Sequence, residues 1–147
     1  MSEQRLPVFE AQASLTGTCE LQGYAATLDL MNNDISFDAI FAASDGLAVG
    51  AMQALNKCGR VIPEDVAVIG FDGVGFAPYT IPPLSTVEQN GAVAGSYLVE
   101  ALLRMIAGED YQLPAVLVKP IWRASSRASS TKRSSMNQYY IKIKIDV

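Results

Sequence analysis

Two acidic residues stand where an apolar run gives way to glycine: Asp45 in Ser44-Asp45-Gly46 and Asp72 in Phe71-Asp72-Gly73. A carboxylate can accept a pair of hydrogen bonds from adjacent hydroxyls, such as those of a sugar, and an aromatic such as Phe76 can cover an apolar ring face. That chemistry is recognition of a polyhydroxylated ligand rather than bond breaking. The same residues also have local uses open to them. Ser44 and Asp45 are preferred helix N-cap types, and Asp72-Gly73 is a good turn former. The chain has no histidine and only two cysteines, Cys19 and Cys58. A Ser-His-Asp triad or a His/Cys metal centre is thereby excluded, and no disulfide framework is expected. No metal and no cofactor are expected. Neither the phosphate-loop pattern G-x-x-x-x-G-K-S/T nor the dinucleotide pattern G-x-G-x-x-G occurs, so an enzyme on a doubly wound sheet is not expected.

The elements that must position these acids follow from periodicity. Leu21, Tyr24, Ala25, Leu28 and Met31 share one helical face, predicting a helix near Glu20–Met31 that stops at Asn32-Asn33-Asp34. Phe37–Ala43 is a short apolar run expected to be a strand buried on both faces. Helical spacing returns at Ala51, Ala54, Leu55 and Cys58, predicting a second helix near Leu47–Lys57 closed by Gly59. Val66–Phe71 is apolar and rich in β-branched residues, and is expected to be another buried strand. Gly73–Leu84 carries three prolines and is expected to be a long ordered loop, the kind that often serves function. Ser85–Val87 is a short candidate strand, and Ala94, Leu98, Ala101, Leu102 and Met105 mark a third helix ending near Gly108. Leu113–Lys119 is a further candidate strand. The alternation of strand and helix predicts an α/β fold with an open parallel sheet flanked by helices.

At 147 residues with 50% hydrophobic and 18% charged side chains, the chain fits one ordinary globular domain. Its net charge of −4 is unevenly spread. Residues 1–122 carry −9 and residues 123–147 carry +5. The acidic body repels nucleic acid phosphates, and the basic tail is read as a solvated face rather than a nucleic-acid binder. Three segments are expected: the body 1–122, a Ser-rich basic linker 123–138 containing two Arg-Ala-Ser-Ser copies, and a tail strand 139–147. Tyr139, Ile141, Ile143 and Ile145 alternate there with polar residues, the pattern of a half-buried strand needing a partner. No apolar stretch approaches the roughly 20 residues needed to cross a bilayer, and no secretory signal opens the chain, so no membrane contact and a cytoplasmic location are expected.

Residues 41–89 hold three linked motifs in order: Ser44-Asp45 before an Ala-x-Gly-Ala helix, Ile62-Pro63-Glu64-Asp65-Val66 running on to Val68-Ile69-Gly70-Phe71-Asp72, and Pro82-Pro83-Leu84-Ser85-Thr86-Val87 followed by Gln89. Together they resemble the LacI/GalR family of ligand-responsive transcription regulators, over most of the chain from about Gly17 to Trp122. The resemblance implies one lobe of a two-lobed sensing domain with a periplasmic-binding-protein-like fold. It implies Asp72 as an acceptor for sugar hydroxyls, and Ser44, Asp45, Thr18, Gln89 and Phe76 as further ligand-binding candidates. It also implies a homodimer contact through the second helix and the loop after Asp72, offering Met52, Leu55, Phe76, Tyr79 and Ile81. The partners implied are a small-molecule effector, a second copy of the chain, and operator DNA only through a separate N-terminal helix-turn-helix that has no counterpart here. A lobe without its companion should bind sugar at millimolar affinity or not at all. A periplasmic sugar-binding protein of a transporter is the alternative. The third helix would belong to the companion lobe, so its apolar face needs cover, from the tail strand or from a second copy.

Overall fold

The computed structural model describes residues 8–12, 17–109, 121–123 and 140–144. Among these, the chain order is β1 (Val8–Gln12), α1 (Cys19–Asn32), β2 (Ala39–Ala42), α2 (Asp45–Lys57), β3 (Ala67–Asp72), a 3-10 turn (Ala77–Tyr79), β4 (Ser85–Glu88), α3 (Gly91–Ile106), β5 (Ile121–Arg123) and β6 (Tyr140–Lys144). The strands form one sheet in the order β1-β6-β2-β3-β4-β5, with every pair parallel except β4 and β5. The expected open parallel sheet flanked by helices is therefore present. The strands expected at Phe37–Ala43 and Val66–Phe71 are β2 and β3, and they pair in parallel with Ile40 opposite Val68 and Phe41 opposite Ile69.

Helices α1 and α2 each begin on a side-chain oxygen. Thr18 caps α1 by accepting from the Leu21 amide, and Ser44 caps α2 by accepting from the Leu47 amide at 3.2 Å. The two helices meet at glycines. A methyl group on Gly23 would overlap the Leu47 carbonyl, and one on Gly50 would overlap the Glu20 carbonyl, so each helix presses bare backbone against the other. That close crossing lets α2 lie on β2 and β3 and seal the core. Ile40 and Ala42 project from one face of β2 onto Leu47, Ala48, Ala51 and Leu55, and all six are buried. Burial of side chains the size of Ile40 or Leu55 contributes about 1.5–3 kcal/mol each.

The expectation that Phe37–Ala43 is buried on both faces is not met, since in β2 only Ile40 and Ala42 are buried while Ala39 and Phe41 are partly covered. β3 is also less buried than expected. Ala67, Val68, Ile69 and Phe71 are only partly covered, and Gly70 is the one fully buried residue of the strand. Helix α3 is also little covered: among its residues only Ala101 is buried. Leu98, Leu102, Leu103, Met105 and Ile106 are more than half exposed. The tail strand does not supply their cover. β6 enters the sheet between β1 and β2, in register with Val8–Gln12 on one side and Ala39–Ala42 on the other, so the expected partner is found on both sides. Leu113–Lys119 and the linker beyond Arg123 lie outside the described residues. β1 and β5 were not anticipated: VFEAQ lacks alternation, and IWR is three residues long.

Candidate functional site

The carboxyl ends of β2, β3 and β4 lie side by side, and three functional segments leave from them: Ser44-Asp45 into α2, Asp72-Gly73-Val74 into the loop, and Gln89-Asn90 into α3. Ligands of open α/β sheets bind at this end. The N-terminus of α1 joins the same corner, since a methyl group on Gly46 would crowd the Cys19 side chain. Thr18, Ser44, Asp72 and Gln89 are thus gathered at one end of the sheet.

Asp72 is held from two sides. Its Oδ1 accepts a hydrogen bond from Gln89 Nε2 at 2.8 Å, and its main-chain carbonyl accepts from the Gln89 amide at 3.3 Å. Its φ is +114°, a conformation that L-residues rarely adopt and that costs of order 1–3 kcal/mol. Gly73 follows at φ +74° and can lie against Glu88 only because it has no side chain. This pair of positive-φ residues turns the chain so that the Asp72 carboxylate stays at the strand end. Phe76 is exposed four residues on, just before the 3-10 turn.

Asp45 has a different setting. It is wholly buried, with Oδ1 accepting from the Thr86 hydroxyl at 2.6 Å and Oδ2 accepting from the Val74 amide at 2.8 Å. Thr86 Oγ1 in turn accepts from the Gly73 amide at 3.3 Å. Gly70 makes room for the carboxylate, which a methyl group there would strike. At the α1 end, hydrogen bonds from its own backbone amide and from the Thr18 hydroxyl lower the pKa of the exposed Glu20 carboxyl below its ordinary value.

The periplasmic binding protein-like domain family matches residues 1–126. The lactose operon repressor of Rhizobium radiobacter is 36% identical over 74% of this chain and 96% of its own length. The chain belongs to the LacI family. A second relative, the HTH-type transcriptional regulator AscG of Escherichia coli, is 36% identical over 66% of the chain but only 29% of that protein. The solved complex of the transcriptional regulator CelR with cellobiose superimposes with a TM-score of 0.67 at 31% identity, covering 71% of this chain and 32% of that one. This LacI-family chain thus spans about a third of the length of those two regulators. The relatives named here are transcriptional regulators, and the transport-protein alternative is not favoured. Among the described residues, no helix is long and apolar enough to cross a membrane.

Within the family lobe, the structure sorts the expected site residues. Asp72 and Gln89 are in direct contact, Ser44 and Thr18 are engaged as helix caps at the same sheet end, and Phe76 is exposed nearby in sequence. Asp45 is corrected: it is sealed inside the lobe, both carboxylate oxygens occupied, and presents nothing to a ligand. Met52 and Leu55 are corrected as dimer residues, because at 4% and 0% exposure they are packed into the lobe's own core. Phe76, Tyr79 and Ile81 remain on the surface, the last two at 84% and 89% exposure. Thr86 was not anticipated. A hydroxyl in a short strand carries no mark in sequence that an acid 41 residues earlier is its partner.

Proposed function

We propose that this chain forms one wall of the effector-binding cleft of a LacI-type transcription regulator, and that the effector is a sugar or related metabolite. The observation that carries the reading is the Asp72 carboxylate, held at the strand end by Gln89, in a family whose relatives are named operon repressors and in one case seen with cellobiose. Asp72 accepts hydroxyl hydrogens, Gln89 fixes its rotamer and offers a second polar group, and Ser44 and Phe76 line the approach. No step of catalysis is involved. Effector binding between two lobes changes their closure and, through it, the spacing of DNA-reading heads carried elsewhere in the regulator. The regulator works in the cytoplasm, as a homodimer, with Phe76, Tyr79 and Ile81 at the contact.

The test is Asp72→Ala in the regulator that carries this domain, read by release of its operator. Loss of the effector response with operator binding retained supports the assignment. A normal response to effector removes Asp72 from the site.

A further inference from the structure

The ligand wall depends on a residue that faces away from it. We infer that Asp45 is a positioning residue for the effector site: its buried carboxylate fixes the turn that presents Asp72. The inference rests on the reading of Asp72 as a ligand group and adds to it the device that holds Asp72 in place.

The two amides that follow Asp72 both end on Asp45. Val74 N–H reaches Oδ2 directly at 2.8 Å, and Gly73 N–H reaches Oδ1 through the Thr86 hydroxyl, by bonds of 3.3 and 2.6 Å. Gly73 takes its positive φ freely, but Asp72 at φ +114° lies outside the regions an L-residue prefers, so its conformation is not held by local preference. An anchor outside the turn must hold it, and Asp45 is that anchor. Its own place is fixed three ways: it is the first residue of α2, it lies over the side-chain-free Gly70, and no part of it reaches solvent.

The chemistry requires a carboxylate. Two donors converge on two separate oxygens, whereas an asparagine would offer one oxygen, and its NH2 could meet Thr86 Oγ1 only if that hydroxyl turned its hydrogen away and ceased to donate. Thr86 is equally specific. Its hydroxyl donates to Asp45 while accepting from Gly73, so valine, of the same shape, breaks both links and serine keeps both. The negative charge also sits at the N-terminus of α2, where the helix dipole favours it. A single buried acid thereby ties α2, β4 and the β3 turn into one unit, and the Asp72 carboxylate rides on that unit.

Nuclear magnetic resonance on the chain separates positioning from general stability. Amide exchange is followed at Gly73 and Val74, with Ile40 and Leu55 as core references, and the Gln89 side-chain amide reports where the Asp72 carboxylate is. In Asp45→Asn, exchange at Gly73 and Val74 should rise at least about tenfold relative to the core amides, and the Gln89 signal should move toward its free position. Thr86→Val should do the same at Gly73, and Thr86→Ser should match the wild type. If Asp45→Asn does not fold, Thr86→Val and Thr86→Ser carry the test alone. Unchanged Gly73 and Gln89 signals in a folded variant, or acceleration spread evenly over Ile40 and Leu55, overturn the inference. These signals need no ligand, so a chain that keeps the network while Asp72→Ala leaves the whole regulator's effector response normal overturns the sugar reading alone.

Discussion

Gln89 Nε2 donates to Asp72 Oδ1 across 2.8 Å, a bond between side chains 17 residues apart that joins the ends of β3 and β4. It is exposed, so water competes for both partners, and its net worth is that of an ordinary hydrogen bond, about 0.5–1.5 kcal/mol. Its effect is orientation: one carboxylate oxygen is anchored and the rotamer of Asp72 is selected. Gln89→Leu should leave the lobe folded and weaken binding of the regulator's effector roughly 2–10-fold. Calorimetric titration of the two proteins reads the difference. Equal affinities would show that Asp72 needs no help from Gln89.

The crossing of α1 and α2 makes a prediction about stability. Gly50→Ala places a methyl group against the Glu20 carbonyl, and the helices must separate. Overpacking of this kind costs about 1–3 kcal/mol or more. Gly95 lies in the middle of α3 with open space around it, so Gly95→Ala should instead gain about 0.5–1 kcal/mol from helix propensity. Chemical denaturation of both variants checks the opposite signs.

Much of this was legible in the sequence. The spacing of Leu21 to Met31 and of Ala51 to Cys58 places α1 and α2 within two residues of their observed ends, and the apolar runs before Ser44 and Asp72 place β2 and β3. Asp72 and Gln89 stood in recognisable motifs. Local pattern was silent on direction. Asp45 and Asp72 look alike in sequence, an acid before a glycine at a strand end, yet one points into the lobe and the other to its edge. That depends on Gly70 and Thr86, which only the sheet brings to Asp45. Met52 and Leu55 share a helix face with Ala48 and Ala51, and spacing alone did not tell a core face from a dimer face. The tail's alternation signalled a strand but not that two neighbours were waiting for it.

Acid should loosen the start of α1. Hydrogen bonds from its own amide and from Thr18 lower the Glu20 pKa in the folded chain, so its contribution is present above the ordinary carboxylate pKa and is lost as pH falls through the lowered value. A carbon-detected titration should show Glu20 deprotonating at lower pH than an unhindered glutamate, and Thr18→Ala should raise that midpoint. A midpoint unmoved by Thr18→Ala would remove the hydroxyl from the account.

Self-association should depend on the loop and not on the core. Tyr79 and Ile81 are almost fully exposed, so replacing both with charged residues should leave the fold intact and convert a dimer to a monomer in sedimentation at micromolar concentration. A dimer that survives Tyr79→Asp with Ile81→Arg would move the contact elsewhere, with the uncovered face of α3 the next surface to test.

The central claim is that the corner holding Asp72, Gln89 and Ser44 recognises sugar hydroxyls, and resonance mapping of the chain against ribose, lactose and cellobiose tests it most directly. This lobe supplies one wall, and well-bound small ligands are usually 70–90% buried, so binding should be in the millimolar range. The account predicts saturable shifts at the amides of Asp72, Gly73, Gln89 and Ser44 with at least one of these sugars, abolished by Asp72→Asn. Shifts centred elsewhere, or undiminished in Asp72→Asn, would contradict it.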